Sequence, residues 1–168
     1  MIPRSPKGGA VSEALHELRP ETARWTHIAL RVADIDASIE WYEHHTPLRL
    51  LDKRQDDLGF GAWLGQPESA ASPFILVLAQ FLPETDPFKE FPQEVLAPFA
   101  HMGIELPDRE AVDTAAALAE REGCLAMDTR QMPVPIGYVC MVRDPDGNMI
   151  EFSFDQGVFE KAREVWGT

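Results

Sequence analysis

The pattern of apolar and polar positions along the chain repeats once. Residues 27–37 (HIALRVADIDA) and residues 101–111 (HMGIELPDREA) align histidine on histidine, apolar on apolar and aspartate on aspartate. Apolar and polar residues alternate in both segments, which is typical of a half-buried β-strand. An aspartate then stands where a helix would be capped, at Asp34 or Asp36 and again at Asp108. The repeat indicates two copies of one module within a single domain.

Each copy continues as a helix and three further strands. The helices are predicted near residues 36–45 and 109–122, the second with an apolar stripe along one face. The strands are predicted near 25–32, 48–54, 59–65 and 74–81, and near 100–106, 124–129, 137–143 and 148–154. The sequence Asp-Pro-Asp-Gly-Asn before the last strand predicts a hairpin turn. This succession predicts an α+β fold of paired βαβββ modules.

The segments outside the repeats complete the division of the chain. A polar arm with a short helix near residues 12–18 is expected first, and the segment between the modules carries four prolines that interrupt regular structure. The last residues have the apolar spacing of an amphipathic helix that covers the sheet or a partner subunit. The predicted division is arm 1–23, first module 24–81, linker 82–99, second module 100–155 and C-terminal helix or tail 156–168.

Composition excludes several classes of partner. The chain has 168 residues, which suits one compact domain, and a net charge of −13. That charge repels phosphate backbones and anionic lipid, so neither nucleic acid nor membrane is an expected partner. Cys124 and Cys140 form no CxxC pair, and no apolar run reads as a secretory signal or a membrane span. A reducing cytoplasm is the expected location.

Strand alternation singles out three chemically useful side chains. If the branched residues of three strands face the helices, His27, His101 and Glu151 lie on the opposite faces, flanked by small residues. Two imidazoles and a carboxylate form a set that suits Fe, Mn, Zn, Ni or Co and leaves positions open for a bidentate substrate. A single histidine near the start of a strand is more often an ordinary polar residue, so alternation alone leaves both readings open.

The motifs resemble a known family. With HIALRVADIDASIEWY opening one module and RDPDGNMIEF closing the other, the chain resembles the vicinal oxygen chelate superfamily over about residues 24–155. This glyoxalase, bleomycin-resistance and dioxygenase group has paired βαβββ modules whose mixed sheets curl around a metal-centred cavity. The resemblance implies one divalent metal ion with His27, His101 and Glu151 as its ligands.

Subfamily motifs favour some activities over others. Glyoxalase I enzymes resemble the chain but carry a second glutamate on the last strand of the first module, where this chain has Val77, with Gln80 as a weak substitute. Extradiol dioxygenases use an additional histidine and a tyrosine. No histidine lies between His101 and Glu151, although Tyr138 could serve as the tyrosine. Fosfomycin transferases need a cationic pocket, and bleomycin-resistance proteins bind the drug without metal.

Further residues are candidates for contact with the substrate. Arg31 and Glu105, each four residues after a histidine, either face the cavity, with Glu105 as a base, or pair with each other or with neighbours. Tyr138 is a proton donor or an ordinary sheet residue, and Glu151 is expected to alternate between ligand and base. The apolar candidates for the cavity wall or the core are Trp63, Phe60 and Met149. His44 and His45, at the end of the first helix, are expected at the surface.

These observations lead to one expected function and two alternatives. We expect a metal-dependent, glyoxalase-like lyase or isomerase whose ion acts as a Lewis acid on a small substrate with adjacent oxygen atoms. The first alternative is a single-domain extradiol-type Fe(II) ring-cleaving dioxygenase. The second is a non-catalytic protein that binds a small molecule such as a drug. Pairing of two copies into a homodimer is compatible with all three.

Overall fold

The computed structural model describes residues 23–69 and 73–167. The predicted arm therefore lies outside the described residues except for its last residue, and so does its short helix. The described chain forms two four-stranded mixed sheets and three α-helices, which confirms the predicted fold class. The sheets curl without closing into a barrel. None of the described helices has the length and apolar character needed to cross a lipid bilayer.

The first sheet contains the strands of the first module. Its elements are β1 (His27–Arg31), α1 (Ile35–His45), β2 (Arg49–Gln55), β3 (Gly59–Gly65) and β4 (Ile75–Phe81). The order across the sheet is β1-β4-β3-β2, with β1 parallel to β4 and the other neighbours antiparallel. β1 is therefore an edge strand, with no neighbour on its outer side among the described residues.

The second sheet repeats this topology. Its elements are β5 (His101–Glu105), α2 (Arg109–Arg121), β6 (Leu125–Gln131), β7 (Tyr138–Arg143) and β8 (Met149–Phe154), followed by α3 (Val158–Trp166). The order is β5-β8-β7-β6, and β5 runs parallel to β8. The two histidine-bearing strands, β1 and β5, thus occupy equivalent edges of the two sheets.

Aspartate side chains start both module helices. The carboxylate of Asp34 accepts hydrogen bonds from the backbone N–H groups of Asp36 and Ala37, each at 3.0 Å. The carboxylate of Asp108 accepts one from the backbone N–H of Ala111 at 2.8 Å. These bonds satisfy helix N–H groups that have no partner within the helix. Each helix then packs against the apolar core, and strand alternation places the histidines on the opposite faces of the sheets.

The two modules share one core and one buried polar contact. Apolar residues of both sheets and of α1 and α2 form a continuous cluster on the helix side. Within it, the fully buried Tyr42 of α1 donates its hydroxyl hydrogen to Asp144 Oδ2 at 2.8 Å. Burial, together with the nearby Asp144 carboxylate, raises the pKa of Tyr42. The phenol therefore remains protonated and joins the first module to the Asp-Pro-Asp-Gly-Asn turn of the second.

The segment between the modules packs down without forming a helix or a strand. Residues 82–99 contact the first module through an ion pair between Asp86 and Arg31. They contact the second module at Leu96, whose N–H donates to Asn148 Oδ1 at 2.9 Å. The Leu96 carbonyl accepts from the N–H of Met149 at 2.7 Å. The linker thus contacts the start of β8, the strand that carries Glu151.

Candidate metal centre

His101 is held with one ring nitrogen free to bind an ion. Its Nδ1 lies 2.6 Å from the carbonyl oxygen of Phe99. Because a carbonyl can only accept, Nδ1 carries the proton and donates it, which leaves the lone pair of the neutral ring on Nε2. That Nε2 lies 3.9 Å from Oε2 of Glu151. Backbone carbonyls fix the metal-binding tautomer of histidine ligands in this way in many metalloproteins.

Glu151 lies on an inner strand of the second sheet and is only 5% exposed. Its Oε1 accepts a hydrogen bond from the side-chain Nε2 of Gln156 at 2.9 Å. The backbone N–H of Gln156 donates to Glu105 Oε1 at 3.2 Å. Gln156 therefore orients both carboxylates, and it leaves Glu151 Oε2 directed towards His101.

The distance between the two facing candidate ligand atoms fits a single ion. Transition-metal bonds to imidazole nitrogen and carboxylate oxygen are about 2.0–2.2 Å long, so two ligands of one ion lie at most about 4 Å apart. The separation of 3.9 Å between His101 Nε2 and Glu151 Oε2 is within this limit and exceeds a direct hydrogen bond. The donor set and the spacing fit a divalent cation with a small shift of the side chains.

His27 occupies the equivalent place on β1 but does not join this pair within one chain. It is exposed, and its Nδ1 lies 2.9 Å from Thr26 Oγ1. Among the described residues, one group of three potential ligand side chains has donor atoms that all lie within 4.8 Å of one another, and this group does not include His27. The chain therefore brings together His101 and Glu151, while His27 lies apart on the edge of the other sheet.

The strand register locates the counterpart of Glu151 in the first module. Gly103, two residues after His101, pairs with Glu151, and Ala29, two residues after His27, pairs with Val77. The position equivalent to Glu151 is therefore an apolar residue. Gln80 does not replace it, because its Oε1 accepts a hydrogen bond from the backbone N–H of Ile35 at 2.9 Å, at the start of α1.

The charged candidates Arg31 and Glu105 have separate partners. The guanidinium of Arg31 forms an ion pair with Asp86 of the linker and lies 5.8 Å from the centre of the Phe81 ring. Glu105 is exposed and accepts a hydrogen bond from the backbone N–H of Gln156. The side chain of the same Gln156 binds Glu151. Arg31 thus anchors the linker, whereas Glu105 stays on the face of β5 that carries His101.

The three apolar candidates divide between the two faces. Trp63 pairs with Val77 on the face that carries His27, and it is 38% exposed. Met149 pairs with His101, is buried and shares the face of Glu151. Phe60 points the other way and packs against the core. Two of the three therefore adjoin the histidine-bearing faces.

Tyr138 faces the helices and not the face that carries Glu151. Its hydroxyl donates to Asp113 Oδ1 of α2 at 2.7 Å, and the guanidinium of Arg109 lies 4.3 Å from the centre of its ring. The hydrogen bond to Asp113 raises the pKa of Tyr138. Cys140, on the same side of β7, is buried, and burial raises the pKa of its thiol to about 12.

Two residues of this region are absent from the sequence-based candidates. Gln156 follows the last strand in a loop, and no periodicity marks a loop residue that turns back to a ligand. Ser153 is fully buried on the face of Glu151, and its Oγ has no hydrogen-bond partner among the described residues. Alternation along β8 could have indicated Ser153, since it lies two residues beyond Glu151.

A second histidine cluster lies between the two module helices. His44 and His45, at the end of α1, approach the carboxylate of Glu122, just after α2. The prediction that both histidines are at the surface is wrong for His45, which is buried and stacks on Trp41. Burial lowers the pKa of His45, while the hydrogen bond from His44 is the main cause that lowers the pKa of Glu122.

Sequence comparisons match the chain over most of its length. A sequence model of the family described as the Glyoxalase/Bleomycin resistance protein/Dioxygenase superfamily matches residues 24–152. An uncharacterized protein of Pseudomonas aeruginosa, PA2024, is 37% identical over 131 residues, which make up 78% of this chain and 88% of that protein. The family match includes the two histidine-bearing strands.

Solved structures share the fold at lower identity. The trypanothione-dependent glyoxalase I of Leishmania major is 23% identical with a TM-score of 0.59, over 87% of this chain and 99% of that one. The antibiotic-binding protein TnmS3 of Streptomyces sp. CB03234 is 20% identical with a TM-score of 0.55, over 81% and 98%. One fold thus hosts enzymes and binding proteins. The chain belongs to the Glyoxalase/Bleomycin resistance protein/Dioxygenase superfamily.

Proposed function

We propose that this protein is a metal-dependent lyase or isomerase that acts on a small substrate with adjacent oxygen atoms. His101 and Glu151 hold one divalent ion, and His27 of a second copy of the chain completes the set. The observation that carries the proposal is the preorganised pair: His101 with Nδ1 protonated and Nε2 free, 3.9 Å from a buried carboxylate that Gln156 orients.

The exposed edges of the sheets support completion of the site by a second copy. β1 and β5 each end a sheet, and a cavity of about 1230 Å³ is lined by residues from both faces of β5. An exposed aromatic residue stands two positions before each histidine: Trp25 is 86% exposed and Phe99 is 87% exposed. A protein rarely leaves such apolar side chains and strand edges uncovered. Pairing of two copies edge to edge would cover them and bring His27 to the pair.

The reaction we propose depends on the side chains around the pair. When bound, the ion supplies Lewis acidity to the substrate oxygen atoms. Glu105 lies on the face of His101 and is free on one carboxylate oxygen to move a proton. Trp63 and Met149 provide apolar surface on the two histidine-bearing faces. Because Val77 replaces a second glutamate, the base differs from the one that glyoxalase I enzymes use.

Ring cleavage and metal-free binding remain the alternatives. The helix-facing orientation of Tyr138 removes the candidate proton donor for ring cleavage and favours a lyase or isomerase. The position of His27 outside the pair favours metal-free binding of a small molecule if the chain acts as a single copy. The expected partner in every case is a small molecule. The free thiols of Cys124 and Cys140 suit the cytoplasm that we propose as its location.

Elemental analysis of the full-length protein, purified without added metal, tests the proposal. We expect His101→Ala and Glu151→Gln to contain about one equivalent less of a divalent transition metal than the wild type. Glu105→Gln, which removes a neighbouring exposed carboxylate, should keep the ion and lose turnover. Iron as the lost metal would favour the dioxygenase. The proposal would be contradicted if the wild type and His101→Ala contained equal amounts of metal and the wild type took up no further ion on reconstitution. That result would favour metal-free binding.

A further inference from the structure

The cluster between the two modules has the composition and spacing of a metal site. Nε2 of His44 lies 3.1 Å from Oε1 of Glu122, and Nε2 of His45 lies 2.9 Å from Oε2. One donor atom from each residue lies within 4.8 Å of the other two. Around an ion with bonds of about 2.1 Å, neighbouring ligand atoms lie about 3.0–3.4 Å apart. The two nitrogen–oxygen distances are therefore near those of a loaded site.

We propose that His44, His45 and Glu122 form a second metal site that takes a Zn²⁺-like cation and joins the two modules. Two imidazoles and a carboxylate suit Zn²⁺, Ni²⁺, Co²⁺ or Cu²⁺, and they do not suit the oxygen-preferring Mg²⁺ or Ca²⁺. His44 and His45 end the helix of the first module, and Glu122 follows the helix of the second. A bound ion would therefore hold α1 to α2.

The electrostatic surroundings favour a cation at this place. The C-terminal ends of α1 and α2 meet here, and each helix C-terminus carries a partial negative charge. A competing cation among the described residues is Arg121, whose guanidinium lies 3.7 Å from Glu122 Oε1. Its side chain is 70% exposed, so it can turn into solvent when an ion enters. A metal ion would replace the hydrogens that now join each ring to the carboxylate.

One of the three side chains is buried and two are accessible. The side chain of His45 is 2% exposed, and its ring stacks on Trp41 with centroids 4.5 Å apart. The side chains of His44 and Glu122 are 55% and 37% exposed. An ion can therefore enter from solvent, bind to a preorganised imidazole and keep water in the remaining positions.

Titration of Zn²⁺ into metal-free, full-length His101→Ala protein tests this site separately from the proposed catalytic centre. We expect about one equivalent to bind, with a rise in melting temperature of about 5 °C at a large excess of Zn²⁺. His44→Gln in the same background should weaken binding at least about tenfold and remove more than half of the rise. Glu120→Gln, which removes a nearby exposed carboxylate of α2, should leave both unchanged, and Mg²⁺ should bind to none of the proteins.

Zn²⁺ binding that does not depend on His44, or no binding in the His101→Ala background, would overturn this site. Because His44 is exposed, His44→Gln should fold, and its melting temperature without metal checks that it does. The two proposals fail separately, since they share no residue. If no bound metal depends on His101, the proposed catalytic centre is rejected. If no bound metal depends on His44, the second site is rejected.

Discussion

At the scale of single residues, the proposed site depends on the hydrogen bonds that orient its two candidate ligands, His101 and Glu151. The Phe99 carbonyl fixes the proton of His101 on Nδ1, and the amide of Gln156 binds one oxygen of Glu151. Each bond leaves the other atom of its ligand free, and the free atoms face each other. An isolated surface histidine would lack hydrogen bonds of this kind.

The Gln156 side chain can be removed without loss of its backbone contact. Gln156→Leu keeps the N–H that donates to Glu105 and deletes the hydrogen bond to Glu151. We expect the dissociation constant for the His101-dependent ion to rise about 10- to 100-fold, because Glu151 loses the contact that orients it. Isothermal titration with the metal found in the wild type measures the change.

Gln55→Leu is the matched control for this prediction, since Gln55 is exposed at the end of β2. It should bind the ion as the wild type does. If Gln156→Leu also bound with unchanged affinity, Glu151 would not need the amide for its orientation.

Alternation predicted the faces of some residues and left others unresolved. It predicted the shared face of His27 and Arg31 on β1, because branched residues occupy the other side of this strand. Phe60 and Trp63 are three positions apart on β3, and that odd separation places them on opposite faces. Tyr138 lies two positions before the buried Cys140 and four before the buried Val142, so it shares their side of the strand. Hydrogen bonds from loops, such as those of Gln156, follow no period in the sequence.

At the scale of elements, the turn between β7 and β8 is a structural junction. Asp144 is 5% exposed and accepts from the Tyr42 hydroxyl at 2.8 Å. It also accepts from the backbone N–H of Asp146 at 3.0 Å and of Asn148 at 2.7 Å, and from the Asn148 side chain at 2.7 Å. The turn that introduces the Glu151 strand is thus tied to the helix of the other module.

Removal of the Asp144 carboxylate should destabilise the whole domain. In Asp144→Ala, the Tyr42 hydroxyl and the donors of the turn lose a buried acceptor, and we expect a loss of about 3 kcal/mol in the free energy of unfolding. Tyr42→Phe should cost about 1 kcal/mol, and the double variant should cost less than the sum. Urea unfolding followed by circular dichroism measures all three.

The exposed Asp57 provides the control, and Asp57→Ala should change stability by less than about 0.5 kcal/mol. Additive effects of Asp144→Ala and Tyr42→Phe would show that the two side chains do not stabilise each other across the modules.

The elements themselves could largely be predicted from the sequence. The aspartate caps, the alternating strands and the proline-rich linker are local signals, and they place β3 at the predicted residues 59–65. The burial of both faces of β8 could not be predicted, because it depends on how the second sheet curls. The approach of His45 to Glu122 depends on the packing of two helices far apart in sequence, which no local pattern encodes.

At the scale of the whole molecule, the two sheets present equivalent edges but unequal sites. The second module carries a histidine and a carboxylate, whereas the first carries a histidine and Val77. Neither module alone offers three ligands. In our proposal, a second copy joins the edge with one candidate ligand to the edge with two. The net charge of −13 would attract divalent cations to the shared site.

Mixing of two inactive variants tests the shared centre most directly. His27→Ala and His101→Ala, both carrying His44→Gln to silence the second site, should each bind no ion. In a co-refolded mixture, half of the dimers would contain one intact site, and we expect about one quarter of the metal bound by the His44→Gln parent. Recovery of metal and turnover in the mixture would support a site built from two copies. No recovery, although the parent binds metal, would contradict it.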